Sequence, residues 1–326
     1  MAANKSAQRQ GRAKRDGLLP LVAAPRLVPA AGYRATLRSV LVGPTITPRI
    51  MHSPAILVFD SGVGGLTVFR EIKRARPDAR LVYVADDALF PYGKVPEGTL
   101  IERVVTLMGK LIEAHSPDLV VIACNTASVQ VLPALRARYA LPFIGTVPAI
   151  KPACAASQSK RVSVLGTEAT VAREYTHALI RNFGQGCDVT LVGSARLAAL
   201  AEAALAGQPA DDAAIRSEIE PCFVAHGTER TDTIVLACTH FPLLLERFER
   251  LAPWPVRWID PAPAIARRVV ELLGPASGDA VPAQARAWFT SGRKPSGHLT
   301  AALAVFGLEV AETASPRVFD THAVSP

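Results

Sequence analysis

From Pro54 onward the chain alternates short apolar runs with stretches of helical period, and this alternation is its strongest constraint. Candidate strands lie at 55–59, 81–85, 118–123, 142–146, 161–165, 188–192, 232–237 and 255–259. Amphipathic segments lie between them at 65–75, 98–115, 127–138, 168–182, 196–206, 211–225 and 241–250. Strands separated by helices predict parallel sheets with helices on both faces. In such sheets ligands bind beyond the carboxyl ends of the strands, so the residues after each strand carry the functional information.

Three strand ends are polar. Strand 55–59 runs into Asp60-Ser61-Gly62-Val63-Gly64-Gly65, strand 118–123 into Cys124-Asn125-Thr126, and strand 232–237 into Cys238-Thr239-His240. The segments VVIACNT and IVLACTH are alike and lie 114 positions apart. They form a weak internal repeat, which predicts two similar α/β halves that each present one cysteine at a strand end.

Length and charge narrow the function. A chain of 326 residues predicts about two domains at roughly 150 residues each. The formal charge of +8 belongs wholly to residues 1–50, where nine Lys/Arg face one acid, Asp16; the remaining residues hold 27 basic and 27 acidic side chains. A nucleic-acid enzyme carries its positive field on the folded domain, so nucleic acid is a disfavoured partner. Residues 1–50 read as a disordered basic tail. Met51 stands four residues before the first strand, which fits a start placed too far upstream; a dispensable tail or an organellar transit peptide are the alternatives. No run approaches the ~18 apolar residues of a membrane span, and no secretory signal pattern is present. The five cysteines are at least 16 positions apart, with no C-x-x-C pair and no zinc-ribbon spacing. Free thiols in such a chain point to a reducing cytoplasm.

Several chemistries fail on sequence. Gly62-Val63-Gly64-Gly65 starts like a dinucleotide loop, but Thr67 occupies the last glycine position. No phosphate-binding P-loop, H-E-x-x-H or G-x-S-x-G motif occurs, and nothing marks a metal site. The paired cysteines remain. A cysteine between a strand and a helix sits where backbone N–H groups favour a thiolate. His240, two residues from Cys238, and Asp60, on the neighbouring strand end to Cys124, are candidate proton partners. One thiol with one base would make a nucleophile. Two thiols facing one cleft would make two proton-transfer groups, one for each face of a carbon, as racemisation requires. The bland readings are a core cysteine, a capping histidine and an Asp-Ser-Gly turn. Cys154, Cys187 and Cys222 take the core reading, since no base flanks them.

The segments FDSGVGGLTVFREI (59–72), YVADDALFPYG (83–93), VIACNTAS (121–128), LPFIGTVPAIKPA (141–153), VSVLGTEATV (162–171) and VLACTHFPLL (235–244) resemble those of the glutamate racemases. That family belongs to the cofactor-independent aspartate/glutamate racemase superfamily. The resemblance implies two similar parallel-sheet α/β domains with the active site in the cleft between them: 51–149 plus 257–326, and 150–256. It implies L-glutamate to D-glutamate conversion without a cofactor, supplying peptidoglycan synthesis. Cys124 and Cys238 would be the acid/bases, with Asp60 and His240 as partners. Substrate contacts would fall on Asp60, Ser61, Tyr92, Gly93, Asn125, Thr126, Thr239 and His240. Many members carry Cys-Pro where this chain has Ser194-Ala195, with a glutamate eight positions after the cysteine; Glu202 keeps that position, which implies a carboxylate near His240 that orients or charges it, with a solvated helix face as the alternative. A cell-wall precursor as activator and a homodimer are the partners the resemblance allows. The rivals are a relative acting on aspartate, a hydantoin or maleate, and a binding protein that kept the fold.

Overall fold

A computed structural model describes residues 53–184, 186–209, 211–277 and 284–311. The basic tail of residues 1–50 lies outside the described residues. In chain order the strands are β1 Ala55–Asp60, β2 Arg80–Ala85, β3 Leu119–Ile122, β4 Phe143–Gly145, β5 Arg161–Thr167, β6 Asp188–Ser194, β7 Ala225–His226, β8 Glu229–Arg230, β9 Thr233–Ala237, β10 Arg257–Ile259, β11 Ala285–Phe289 and β12 Leu308–Val310. The α-helices are α1 Leu66–Ala75, α2 Glu97–His115, α3 Asn125–Arg138, α4 Ile150–Ala156, α5 Glu168–Val171, α6 Glu174–Phe183, α7 Leu197–Leu205, α8 Asp212–Ile219, α9 Leu245–Leu251, α10 Ala262–Leu273 and α11 Gly297–Val305.

Two parallel sheets organise these elements. The first has the order β12-β11-β2-β1-β3-β4 and the second β10-β9-β5-β6; β7 and β8 form a separate antiparallel hairpin. Side chains alternate across each strand, so each sheet feeds two cores. Ile56 and Val58 of β1 pack with Leu66, Phe69 and Ile72 of α1 and with Ile265 and Val269 of α10. Leu57 and Phe59, on the other face, pack with Leu100, Val104, Leu107 and Leu111 of α2 and Val131 and Leu135 of α3. In the second sheet Leu165, Ile234 and Leu236 meet α7, α8 and α9, while Val162, Val164 and Val235 meet Ile150 and Ala153 of α4.

Three features differ from the sequence pattern. The helical period at 168–182 is broken into α5 and α6 at Ala172–Arg173, where the Thr176 hydroxyl donates to the Thr170 carbonyl at 2.6 Å. Strand β10 pairs with β9, so the chain leaves the second sheet after Ile259 and not before Arg257. Beyond it, β11 and β12 extend the first sheet next to β2, although neither shows an apolar run in the sequence. Both are edge-side strands with a charged residue inside, Arg286 and Glu309, and so lack the signature of the central strands. Among the described residues no helix is long and apolar enough to cross a membrane.

Candidate active site

Cys124 stands two residues after β3 and caps the fourteen-residue helix α3, with its sulfur accepting from the Ala127 N–H at 3.5 Å. Cys238 directly follows β9 of the other sheet. The two thiols line one cavity together with Ser61, Phe90, Pro91, Tyr92, Gly93, Asn125, Thr126, Thr167, Ala198, Thr239 and His240. The internal repeat read in the sequence therefore becomes a pair of thiols entering one space from two sheets.

Each thiol has its own polar backing. The Cys124 thiol donates to the Ser61 hydroxyl at 3.6 Å, and that hydroxyl donates to Asp60 Oδ1 at 3.5 Å. Asp60 is fully buried; its other oxygen accepts from the Gly65 N–H at 2.8 Å and the Tyr83 hydroxyl at 3.4 Å. Burial pushes the Cys124 thiol up to about 12, and the Asp60 carboxylate adds to the rise, against the Ala127 N–H and the Ser61 hydroxyl. Burial also raises Asp60, and the charge on His240 and the Gly65 and Ser61 N–H groups oppose it. On the other side Cys238 Sγ lies 3.8 Å from His240 Nδ1, and His240 Nε2 lies 2.8 Å from Glu202 Oε1. Burial works against a charge on His240, but the hydrogen bonds to Cys238 and Glu202 outweigh it and raise the imidazole well above its ordinary value. His240 thus sits between a sulfur and a carboxylate, both of which favour its charged form.

The glycines of the first loop make this packing possible. A Cβ on Gly62 would stand 2.2 Å from Glu202 Oε1, and one on Gly64 would stand 2.4 Å from His240 Nδ1. Glu202 Oε1 also accepts the Val63 N–H at 2.8 Å, so one carboxylate of α7 ties the loop after β1 to His240. The Thr67 hydroxyl reaches the Thr239 carbonyl at 3.3 Å, a second bond between the two sheet systems. The glycine pattern that fails as a dinucleotide loop is thus the surface on which the histidine and glutamate seat.

A model of the Asp/Glu/Hydantoin racemase family matches residues 61–269. The chain belongs to this racemase family. Within it, the chain is 57% identical to glutamate racemase of Brucella anthropi over 225 residues, which is 69% of this chain and 81% of that protein. It is 51% identical to glutamate racemase of Brucella ovis over 265 residues, 80% of this chain and 95% of that protein. Among solved structures it resembles Escherichia coli glutamate racemase in complex with L-glutamate and the activator UDP-MurNAc-ala, with a TM-score of 0.73 and 38% identity, over 81% of this chain and 100% of that one.

Of the residues singled out from sequence, Ser61, Tyr92, Gly93, Cys124, Asn125, Thr126, Cys238, Thr239 and His240 all line the cavity. Asp60 and Glu202 stand behind its wall: Asp60 reaches Cys124 through Ser61, and Glu202 reaches the cavity through His240. Asn125 is buried with neither amide atom hydrogen-bonded to the protein, a polar group costly to leave unpaired and suited to a polar ligand. Ser194 accepts the Leu197 N–H at 3.0 Å and donates to Glu218 at 2.6 Å, so it fastens the start of α7. Sequence reasoning missed Phe90, whose ring lies 5.6 Å from His240 centroid to centroid, and Tyr83, whose hydroxyl bonds Asp60 and the Gly62 carbonyl. Tyr83 left one signal, a hydroxyl in an otherwise apolar strand, because a buried tyrosine needs a partner for its O–H.

Proposed function

We propose that this chain interconverts L- and D-glutamate through two cysteines, without a cofactor, and so supplies D-glutamate to peptidoglycan synthesis. Cys124 and Cys238 carry the proposal: they come from different sheets, line one cavity, and have independent polar backing. An α-carbon held between them exposes one face to each sulfur. One thiolate removes the α-proton and the opposite thiol delivers a proton to the other face. In one direction Cys124, whose thiol form burial and Asp60 favour, is the donor, and Cys238, with His240 Nδ1 at 3.8 Å as its proton partner, is the base. The reverse reaction begins from the opposite protonation pair, which Asp60 and His240 serve by exchanging protons with their cysteines. Ser61, Tyr92-Gly93, Asn125-Thr126 and Thr239 supply hydroxyls, an amide and backbone groups for the substrate's carboxylates and ammonium.

The partition into two lobes, roughly 51–149 with the C-terminal segment and 150–259, belongs to the same reading, with the cavity between them. So does activation by a nucleotide-linked cell-wall precursor, by likeness to the Escherichia coli enzyme. The test is purified protein with L-glutamate and, separately, D-glutamate, with no added cofactor, followed by circular dichroism. Both samples are expected to decay to zero ellipticity. A flat signal from both enantiomers, or decay only with another amino acid, overturns the assignment.

A further inference from the structure

A second buried carboxylate lies near the cavity and takes no part in the proton transfers above. Asp86 follows β2, is fully buried, and is tied by its N–H to the Asp60 carbonyl at 2.8 Å. Four donors close around it. The Tyr92 hydroxyl reaches Oδ2 at 2.7 Å, Arg103 reaches Oδ2 through Nε at 3.1 Å and Oδ1 through Nη2 at 2.6 Å, and the Thr290 hydroxyl reaches Oδ1 at 2.5 Å. These donors come from the Phe90–Gly93 segment that walls the cavity, from α2, and from the residue after β11. Thr290 is also seated by its own N–H on the Ala85 carbonyl at 3.0 Å and accepts the Ala88 N–H at 3.3 Å. Next to it Ser291 is bonded to Asp87 by both its N–H and its hydroxyl.

The geometry points to Asp86 as a positioning residue for substrate binding: it holds the Tyr92-Gly93 wall of the cavity through the Tyr92 phenol, and Arg103 and Thr290 hold Asp86. This rests on the glutamate reading for what the wall binds. An ion pair between Asp86 and Arg103 alone would serve stability. The arrangement does more, because one carboxylate oxygen, shared with Arg103, also holds the hydroxyl of a residue that lines the cavity. The phenol is suited to donate, since burial and then the charge of Asp86 raise Tyr92 well above its ordinary value. The wall is otherwise a short 3-10 turn, Tyr92–Lys94, with two backbone bonds of its own, from the Lys94 N–H to the Pro91 carbonyl at 3.2 Å and from the Val95 N–H to the Tyr92 carbonyl at 3.1 Å. Such a turn has few bonds of its own to fix its place. The C-terminal segment, which returns to the first sheet through β11, thereby reaches the cavity wall through Thr290.

Tyr92→Phe tests this directly, since it removes the hydroxyl and keeps the ring and the Asp86–Arg103 pair. The expected result is a rise in KM of about tenfold or more for both enantiomers, with kcat within about threefold of wild type, the pattern of lost uniform binding. Asp86→Asn is expected to raise KM similarly and to lower Tm, and in the Tyr92→Phe background it should add less than about twofold to KM. Hydrogen exchange of the amides in 87–95 should speed up in Tyr92→Phe while that of 119–138 stays unchanged. Unchanged KM in a folded Tyr92→Phe protein, unchanged exchange at 87–95, or an Asp86→Asn effect on KM that simply multiplies that of Tyr92→Phe each overturns the tether. A wild-type protein inactive on glutamate overturns the functional reading alone, and the exchange experiment still judges the tether.

Discussion

Replacing Gly64 by alanine adds one methyl group where the structure has no room. The new Cβ would stand 2.4 Å from His240 Nδ1, 2.6 Å from Cγ and 2.7 Å from Cε1. Carbon contacts are comfortable at roughly 3.5–4 Å, so the ring must retreat by about 1 Å. His240 is only 3% exposed, and its far nitrogen is already 2.8 Å from Glu202. A retreat of that size breaks or distorts this bond, and a hydrogen bond to a charged group is worth about 1.5–3 kcal/mol. In a domain of this size each kcal/mol lowers Tm by roughly 2–4 °C, so a loss of about 3–12 °C is expected. Catalysis should suffer more. A misplacement of about 1 Å in a proton-transfer group costs on the order of 10²-fold. The two enantiomers have equal free energy, so kcat/KM must fall equally in both directions. The assay is the initial rate of ellipticity change from each enantiomer over a range of concentrations, with thermal melts alongside. Gly98→Ala is the control: Gly98 lies in α2 with nothing within 4 Å of the added carbon, and that change should be neutral or slightly stabilising. A Gly64→Ala protein that keeps kcat/KM within about threefold of wild type would refute the claim that this loop seats His240.

Three further outcomes follow from the same geometry. Cys124→Ala and Cys238→Ala should each abolish racemisation in both directions, while a substrate with a β-leaving group still reacts in the one enantiomer whose α-proton faces the remaining sulfur; racemisation at wild-type rate by either variant sinks the two-thiol scheme. For Glu202→Gln the sign runs as follows: the raised His240 contributes stability that is present below the unfolded value of about 6.5 and lost as pH rises through the folded one, so the variant should lose less Tm between neutral and alkaline pH than wild type, and its activity should fall off at lower pH. Asp232 provides a stability test away from the cavity. Burial alone would raise this carboxyl, but bonds from the Ser157 and Thr233 hydroxyls and the Gln158 and Ser159 N–H groups lower it to about 2. Its stabilisation is present above the ordinary carboxylate value and lost as pH falls through about 2. Asp232→Asn should therefore lower Tm at neutral pH and flatten its fall in acid, as melts from pH 7 to 2 would show.

What the sequence revealed and what it hid divide along a physical line. Central parallel strands must be apolar throughout, and AILVF and DLVVIA announce themselves for that reason; the edge-side strands β11 and β12 need not be, and ARAWF and LEV do not. Chemistry placed at strand ends was legible because the topology forces ligands there, so Asp60, Cys124, Cys238 and His240 could be picked out by position. Among the groups that tune them, His240 was legible from its short spacing to Cys238, Asp60 from its place at a neighbouring strand end, and Glu202 only through the family resemblance. Contacts made by long-range folding left no spacing to read: Glu202 meets Val63 from 139 positions away, and Thr290 meets Asp86 from 204. The glycines show the same division in one loop. Gly62 and Gly64 stand out as a motif, yet their reason is not a local turn or a phosphate but the approach of a glutamate and a histidine from the other sheet system. A pattern of small residues after a strand therefore says that something comes close. The identity of what comes close belongs to the fold, and here it is the Glu202–His240 pair that faces Cys238.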